Sequence, residues 1–288
     1  MEGDVRDRKL LDKVFSNHDI GAVLHFAGLK AVGESLHQPL RYYENNVAGS
    51  INLCQAMARA GVFTLVFNSS ATVYGEPETM PIREDFPTGK PTNPYGRSKL
   101  IVEQILGDLA ASDTRWSFGI LRYFNPVGAH ESGLIGESPK GFPSNLLPYI
   151  SQVAIGKRKS LTVFGNDYPT LDGTGIRDYI HVVDLARGHL KALQALSNRN
   201  GINIWNLGTG KGFSVLQMVQ AFEQDSGKKV PYTIAPRRAG DIAECWVDPT
   251  KAWNELGWQS EYNLDRMMID TWRWQSQNPD GFNPDAKP

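Results

Sequence analysis

Thr64-Leu65-Val66-Phe67-Asn68-Ser69-Ser70, followed after a Pro-rich loop by Tyr95-Gly96-Arg97-Ser98-Lys99-Leu100-Ile101-Val102-Glu103, reads as an apolar strand and then an amphipathic helix. The same alternation extends to both sides. Ala22-Val23-Leu24-His25-Phe26-Ala27-Gly28 is an apolar run ending in glycine, and a helical stretch from about Leu40 to Ala60 closes at Gly61. The Tyr95 helix runs to about Ala111, and Ser117 to Phe124 is the next strand. Strands alternating with helices predict a parallel sheet covered by helices, an α/β doubly wound fold.

After Asn125 the texture changes. Residues 126–178 are richer in Gly and Pro, with one helix (about Asn145–Ile155) and one strand (Leu161–Phe164). Tyr179–Val183, a helix from Asp184 and Ile202–Gly208 read as a return to the first sheet. A helix at about Ser214–Asp225, a strand at Pro231–Ala235 and two short helices near Pro249 and Leu264 complete the chain. His25, within its apolar run, reads as a satisfied core histidine rather than a ligand. Gly208-Thr209-Gly210-Lys211-Gly212 looks phosphate-like but lacks the Walker spacing, so a turn between strand and helix is the better account.

Charge and composition exclude several classes of function. Lys+Arg number 30 against 31 Asp+Glu in 288 residues, with no block of one sign, so no nucleic-acid or anionic-membrane surface is expected. No apolar run reaches the ~18 residues of a membrane span. Met1-Glu2-Gly3-Asp4-Val5-Arg6-Asp7 is charged rather than signal-like. Cys54 and Cys245 give neither a disulfide framework nor a metal spacing. The expectation is a cytoplasmic globular protein, and the Asn68-Ser69-Ser70 glycosylation pattern is discounted with it.

Tyr95 and Lys99 lie four apart, so a helix puts phenol and ammonium on one face. A phenol with pKa near ~10 is a poor base at neutral pH, and a nearby cation favours its ionised form. Such a phenolate can take a proton from an alcohol while hydride leaves the carbon. Alone the pair is a weak signal, since a surface Tyr-Lys pair has the same spacing. Its placement adds weight. Ser69-Ser70 closes the strand just before this helix, and ligands of open parallel sheets sit at the carboxyl ends of strands. Ser70 is therefore expected to face Tyr95 and to bond a substrate hydroxyl. The ends at Phe26-Ala27-Gly28 and Phe124-Asn125 converge on the same crevice.

At these residues the chain resembles the extended short-chain dehydrogenase/reductases and, within them, the UDP-galactose 4-epimerases. The carriers are His25-Phe26-Ala27-Gly28-Leu29-Lys30-Ala31-Val32-Gly33-Glu34-Ser35, Ser69 to Gly75 and Asn93 to Lys99. Leu121 to Ala129, Asp172 to Val182 and Pro236 to Asp241 complete them, so nearly the whole chain is covered. The resemblance implies bound NAD and a UDP-hexose whose C4 is epimerised through a transient 4-keto sugar, interconverting UDP-galactose and UDP-glucose. Tyr95 would remove the 4-hydroxyl proton, directly or through Ser70. Lys99 would bond the nicotinamide ribose and keep Tyr95 ionised.

NAD contacts would fall at Asp4, Val5, Phe26, Ala27, Gly28, Leu29, Lys30, Asn45, Ser70, Tyr95, Lys99 and Phe124. The substrate would meet Ser70, Tyr95, Asn125, Asn145, Thr162, Val163, Phe164, Arg177, Arg238, Asp241 and Cys245. Two arginines suit a diphosphate, and the bland alternative for Arg177 is an ion pair with Asp178 or Asp184. Cys245 stands where small residues go with tolerance of N-acetylated sugars in this family, which extends the expected substrates to UDP-GlcNAc and UDP-GalNAc. A buried cysteine without effect on specificity is the alternative. The implied division is a Rossmann-like NAD unit over 1–125, with a return segment at about 179–210, and a smaller mixed α/β UDP-sugar unit over 126–288. A homodimer through the long helices is also implied.

The family opens with a strand and a Gly-x-x-Gly-x-x-Gly turn for the pyrophosphate. This sequence has no such triplet of glycines, and Met1 to Asp7 resembles the end of the third family strand. The expectation is that Met1 is an internal methionine, that about two β-α units are missing, and that the strand at Ala22–Gly28 becomes a sheet edge. Two rivals follow. One is an inactive, N-terminally truncated remnant. The other is a nucleotide-sugar 4,6-dehydratase, which needs an acid and a base after the strand-end hydroxyl, where this chain has Ala71 and Thr72.

Overall fold

Four parallel strands form the first sheet, in the order β1 (Val23–His25), β2 (Thr64–Asn68), β3 (Ser117–Tyr123) and β7 (Gly201–Leu207). The coordinates are a computed structural model and describe residues 1–139, 141–238 and 240–282. Both faces of this sheet are apolar, as parallel strands under helices require. Leu65, Phe67, Phe118 and Ile120 point to one face. There they meet Leu53 and Met57 of α4 (Gly49–Ala60) and Val102 and Leu106 of α5 (Pro94–Ser112). Val66, Leu121, Trp205 and Leu207 point to the other, against Leu185, Ala192 and Leu196 of α7 (Val182–Leu196). Each such buried side chain contributes roughly 1.5–3 kcal/mol of transfer free energy. Gly119 lets α7 approach, since a Cβ there would stand 3.2 Å from Leu196 Cδ1.

β1 is the sheet edge, as expected, and is only three residues long. It is preceded by α1 (Arg8–Asn17), whose first turn is capped by the Asp7 carboxylate accepting from Leu10 N. After β1 come α2 (Val32–His37), α3 (Pro39–Tyr42) and a π-helical turn, Tyr43–Ala48, that runs into α4. Gly61 ends α4 in the left-handed region at φ 73°, a conformation glycine adopts without a Cβ clash. At α5, Asn93 Oδ1 accepts from Gly96 N at 2.9 Å and Pro94 occupies the first turn, so Tyr95 enters the helix at a fixed angle.

The second half builds a smaller mixed layer. β4 (Asn125–Val127), β6 (Ile176–His181) and β10 (Glu244–Cys245) pair in parallel in the order β10-β6-β4, and β8 (Gly212–Ser214) runs antiparallel to β6. β5 (Leu161–Phe164) pairs with β9 (Tyr232–Ala235). α6 (Leu146–Ala154), α8 (Val215–Ser226) and α10 (Leu264–Gln277) share a core of Leu147, Ile150, Met218, Phe222 and Met268. α9 (Thr250–Leu256) instead packs Ala252 and Leu256 under the first sheet.

Two expectations are corrected here. The strand expected at Tyr179–Val183 does not return to the first sheet: it is β6, and Asn125↔Tyr179 pairing keeps it in the second. An apolar run shows that a strand is buried, not which neighbour it pairs with, and only α7 and β7 make the return. The last helix, expected to be short, has 14 residues. Among the described residues no helix is long and apolar enough to cross a membrane.

Candidate active site

Ser70 and Tyr95 meet where β2 ends. The Ser69 amide is held by Leu121 O at 2.9 Å, which points the next residue out of the sheet. Ser70 Oγ accepts from Thr72 N at 3.2 Å and Thr72 Oγ1 at 3.0 Å, capping a short 3-10 turn, Ala71–Tyr74. With those two bonds accepted, the hydroxyl proton of Ser70 is free for the Tyr95 oxygen. Tyr95 is buried, which pushes its phenol up, and its hydrogen bond with Ser70 opposes the rise.

Lys99 lies one turn along α5. Its Nζ donates to Asn68 O at 2.6 Å and sits 4.9 Å from the centre of the Phe67 ring. A Cβ on Gly28 would lie 3.6 Å from the same Nζ. Burial pulls the ammonium down to about 8, opposed by the charge of Glu103. The ammonium is directed at the Asn68 carbonyl.

The loop after β1 completes this side. Phe26 is 53% exposed and packs against His189 with ring centres 4.7 Å apart, while Ala27 and Gly28 are exposed beside it. Asn46, absent from the expected residues, holds this loop: its Oδ1 accepts from Leu29 N at 2.8 Å and its Nδ2 donates to Leu29 O and Ser98 Oγ. Asn45 serves Asn46, donating to its Oδ1 at 3.0 Å. Both sit in the π-helical turn, a geometry enriched at functional sites. Asp4 is bonded to Arg6, which holds its carboxyl down at about 2, and Val5 packs against Gly49. Phe124 is buried with Tyr74 and Leu100. His25 is the satisfied core histidine expected: Nε2 lies 2.8 Å from Ser50 Oγ, and burial drives its pKa down to about 3.

These groups suit a nicotinamide nucleotide. Lys99 has ammonium protons to spare, Asn68 Oδ1 is buried without a partner among the described residues, and Gly28 puts no side chain before the ammonium. Donor and acceptor fit ribose hydroxyls and a carboxamide.

The residues expected at the substrate gather around β6. Asn125 Nδ2 donates to Asp178 O at 3.1 Å, and Cys245 stands in register with Arg177. Arg177 makes no ion pair with Asp178 or Asp184; its Nη1 finds the carbonyl of Ile176 at 2.8 Å and that of Ala243 at 3.5 Å. Asp178 is occupied by the turn at Thr209–Gly210, and Asp184 by Ser260 and the amides of Glu261 and Tyr262. The Cys245 thiol is pushed up to about 11 by burial, so it is neutral. Arg238 pairs with Asp241 at 3.0 Å and lies 5.7 Å over the Phe164 ring at the end of β5, with Thr162 and Val163 behind it. Asn145 does not cap α6. Its side chain donates to Glu137 Oε1 at 3.0 Å, and Lys30 reaches the same oxygen at 3.1 Å.

Beneath Ser70 runs a buried network that spacing did not reveal. Arg122 binds Glu103 through Nη2 at 2.6 Å and Nε at 3.1 Å, Ser69 Oγ donates to Glu103 Oε1 at 2.5 Å, and Arg122 Nη1 donates to Tyr74 OH at 3.0 Å. Glu103 follows Lys99 by four residues, the one signal that could have found it.

Comparison with known proteins identifies the family. The model of the NAD dependent epimerase/dehydratase family matches residues 1–208. The chain belongs to this family. It is 61% identical to the UDP-glucose 4-epimerase of Bacillus subtilis over 281 residues, covering 98% of this chain and 83% of that protein. The crystal structure of the UDP-glucose 4-epimerase of Bifidobacterium longum, in complex with NAD+ and UDP, superposes with a TM-score of 0.95 at 52% identity, covering 98% of this chain and 84% of that one. The UDP-Glc/GlcNAc 4-epimerase of Campylobacter jejuni gives a TM-score of 0.82 at 38% identity, covering 96% and 84%.

Within the epimerase/dehydratase family, elimination chemistry calls for an acid and a base beside the strand-end hydroxyl. Here Ala71 carries no such group and Thr72 is engaged with Ser70. A cavity of about 320 Å³ lined by Ser138, Lys157, Arg158 and Trp274 lies apart from Ser70 and Tyr95.

Proposed function

We propose that this chain interconverts UDP-galactose and UDP-glucose by NAD-dependent epimerisation at C4. The observation that carries the reading is the Ser70 hydroxyl on the Tyr95 phenol at the end of β2, with Lys99 one turn away facing Gly28. NAD supplies the hydride acceptor and donor. Lys99 and Asn68 would hold its ribose and carboxamide, with the Phe26–Lys30 loop alongside. Ser70 passes the proton of the sugar 4-hydroxyl to Tyr95 and returns it, and Lys99 is the cation that favours the phenolate. Arg177, without a carboxylate partner among the described residues, and Arg238 bind the diphosphate by charge-assisted hydrogen bonds, while Asn125 and Asn145 add neutral donors. Thr162, Val163, Phe164 and Asp241 receive the uridine end.

The reading extends to three finer points. Cys245, small and beside Arg177, leaves room for an N-acetyl group, so UDP-GlcNAc and UDP-GalNAc are substrates too. The division of labour is an NAD unit in the first sheet with α7 and β7, and a UDP-sugar unit in the second. The chain acts as a cytoplasmic homodimer. Support comes from two free cysteines and from Leu36 and Leu40, exposed at the start of the long helical run.

The test is NAD(H) released per chain on denaturation, followed by epimerase assay of the wild type and Tyr95→Phe. Near-stoichiometric cofactor, turnover, and a loss of about 10²–10⁴ in kcat for Tyr95→Phe support the reading. A chain that holds no cofactor and turns over nothing is the remnant instead.

A further inference from the structure

The phosphate-like turn Gly208-Thr209-Gly210 does bind an anion, and the anion is part of the chain. Asp178 Oδ1 accepts from Thr209 N at 2.8 Å and Thr209 Oγ1 at 2.7 Å; Oδ2 accepts from Gly210 N at 3.0 Å and Val247 N at 3.4 Å. Consecutive turn amides of this kind form a nest for negative charge. The carboxylate is fully buried and has no cationic partner among the described residues, so these four donors replace its water. Gly208 is small for the same reason: a Cβ there would stand 2.4 Å from Val247 Cγ1 and 2.7 Å from Asp178 Oδ2.

Three segments meet on this one side chain. The turn leaves β7 of the first sheet, Asp178 belongs to β6 of the second, and Val247 follows β10 by two residues. The residues expected to touch the UDP-hexose stand around it. Asn125 bonds the Asp178 carbonyl, Arg177 precedes it on the strand and points to the opposite face, and Cys245 pairs with Arg177. We propose that Asp178 is a positioning residue of the substrate side, holding Asn125, Arg177 and Cys245 in register against the sheet that carries Ser70 and Tyr95. This rests on the function proposed above, since those three residues are assigned to the UDP-sugar there.

Two variants test it. Asp178→Asn keeps the shape and one acceptor, but turns amide protons toward the N–H groups of Gly210 and Val247. Gly208→Ala leaves every charge in place and pushes the turn off the carboxylate. UDP is titrated into the NAD-loaded proteins by calorimetry, and kcat, KM and NAD content are measured alongside. In both variants the UDP Kd and the KM for UDP-galactose rise about tenfold, a change of about 1.4 kcal/mol, while kcat stays within about threefold and NAD content is unchanged. A Kd and KM within about twofold of wild type in folded variants overturns the proposal, as does a loss of NAD that parallels the loss of UDP. If Asp178→Asn does not fold, Gly208→Ala decides alone. UDP binding needs no turnover, so a wild type that binds UDP without epimerising refutes the proposed reaction while the UDP comparison still decides the role of Asp178.

Discussion

The ammonium of Lys99 lies 3.6 Å from the point where a side chain on Gly28 would begin, and Asn46 Oδ1 lies 3.4 Å from it. These are ordinary contact distances. Gly28→Ala should therefore fold with an unchanged melting temperature and keep most of its NAD. Gly28→Leu fills the space above Lys99, and NAD content measured after gel filtration should fall at least about tenfold, a loss of about 1.4 kcal/mol. Full NAD retention by Gly28→Leu would place the cofactor elsewhere.

Lys99 is a buried charge that the apoprotein carries at a cost. Its pKa falls from 10.5 to about 8, so the folded state binds the proton more weakly than the unfolded state does. Stability should then climb as pH rises from about 8 to 10.5 and show the full penalty below 8. At pH 7 the penalty is on the order of 3 kcal/mol, against about 1–2 kcal/mol for losing the hydrogen bond to Asn68 O. Lys99→Met should accordingly raise the urea midpoint of the apoprotein at pH 7 and remove the alkaline climb, while abolishing turnover. A lower midpoint at pH 7 would mean the hydrogen bond outweighs desolvation.

The Glu103–Arg122 pair anchors Ser69, and through it Ser70. Arg122→Met leaves the Glu103 carboxylate buried with one hydroxyl donor and should cost about 3–5 kcal/mol in chemical denaturation. Glu103→Gln combined with Arg122→Met should cost clearly less than the sum of the single changes, because each single change strands a charge that the double change does not. Additive costs would show the two groups to be energetically independent.

Cys245 is half-buried against the cluster of Tyr74, Phe124 and Val247. Cys245→Tyr adds bulk at the proposed sugar end and should lower kcat/KM for UDP-GlcNAc by at least about tenfold while leaving UDP-glucose within about threefold. Overpacking costs about 1–3 kcal/mol, so a melting curve must accompany the assay. Equal losses on both sugars would assign Cys245 to packing alone.

What could be read along the chain was what neighbours in sequence decide. The α5 helix came from its period, β5 was expected at its observed bounds, and the weak phosphate resemblance at Gly208 proved to be a turn. β8 intervenes between that turn and α8, a detail too short for periodicity to show. The residues that organise the site were out of reach. Ser69 and Glu103 are 34 apart, Asp178 and Val247 are 69 apart, and Lys30 and Glu137 are 107 apart. No local pattern brings such pairs together.

The sequence alone determined the alternation of strand and helix, the tyrosine, serine and lysine at strand and helix ends, and the two arginines suited to a diphosphate. Spacing of 2 and 3.6 residues and side-chain chemistry are local properties, so they survive without coordinates. Only the tertiary structure decided that β6 joins the second sheet, that Asp178 fills the Thr209–Gly210 nest and so leaves Arg177 without that carboxylate, and that the Lys99 ammonium turns to the Asn68 carbonyl. Those outcomes depend on which groups lose their water together, and desolvation is a property of the packed whole.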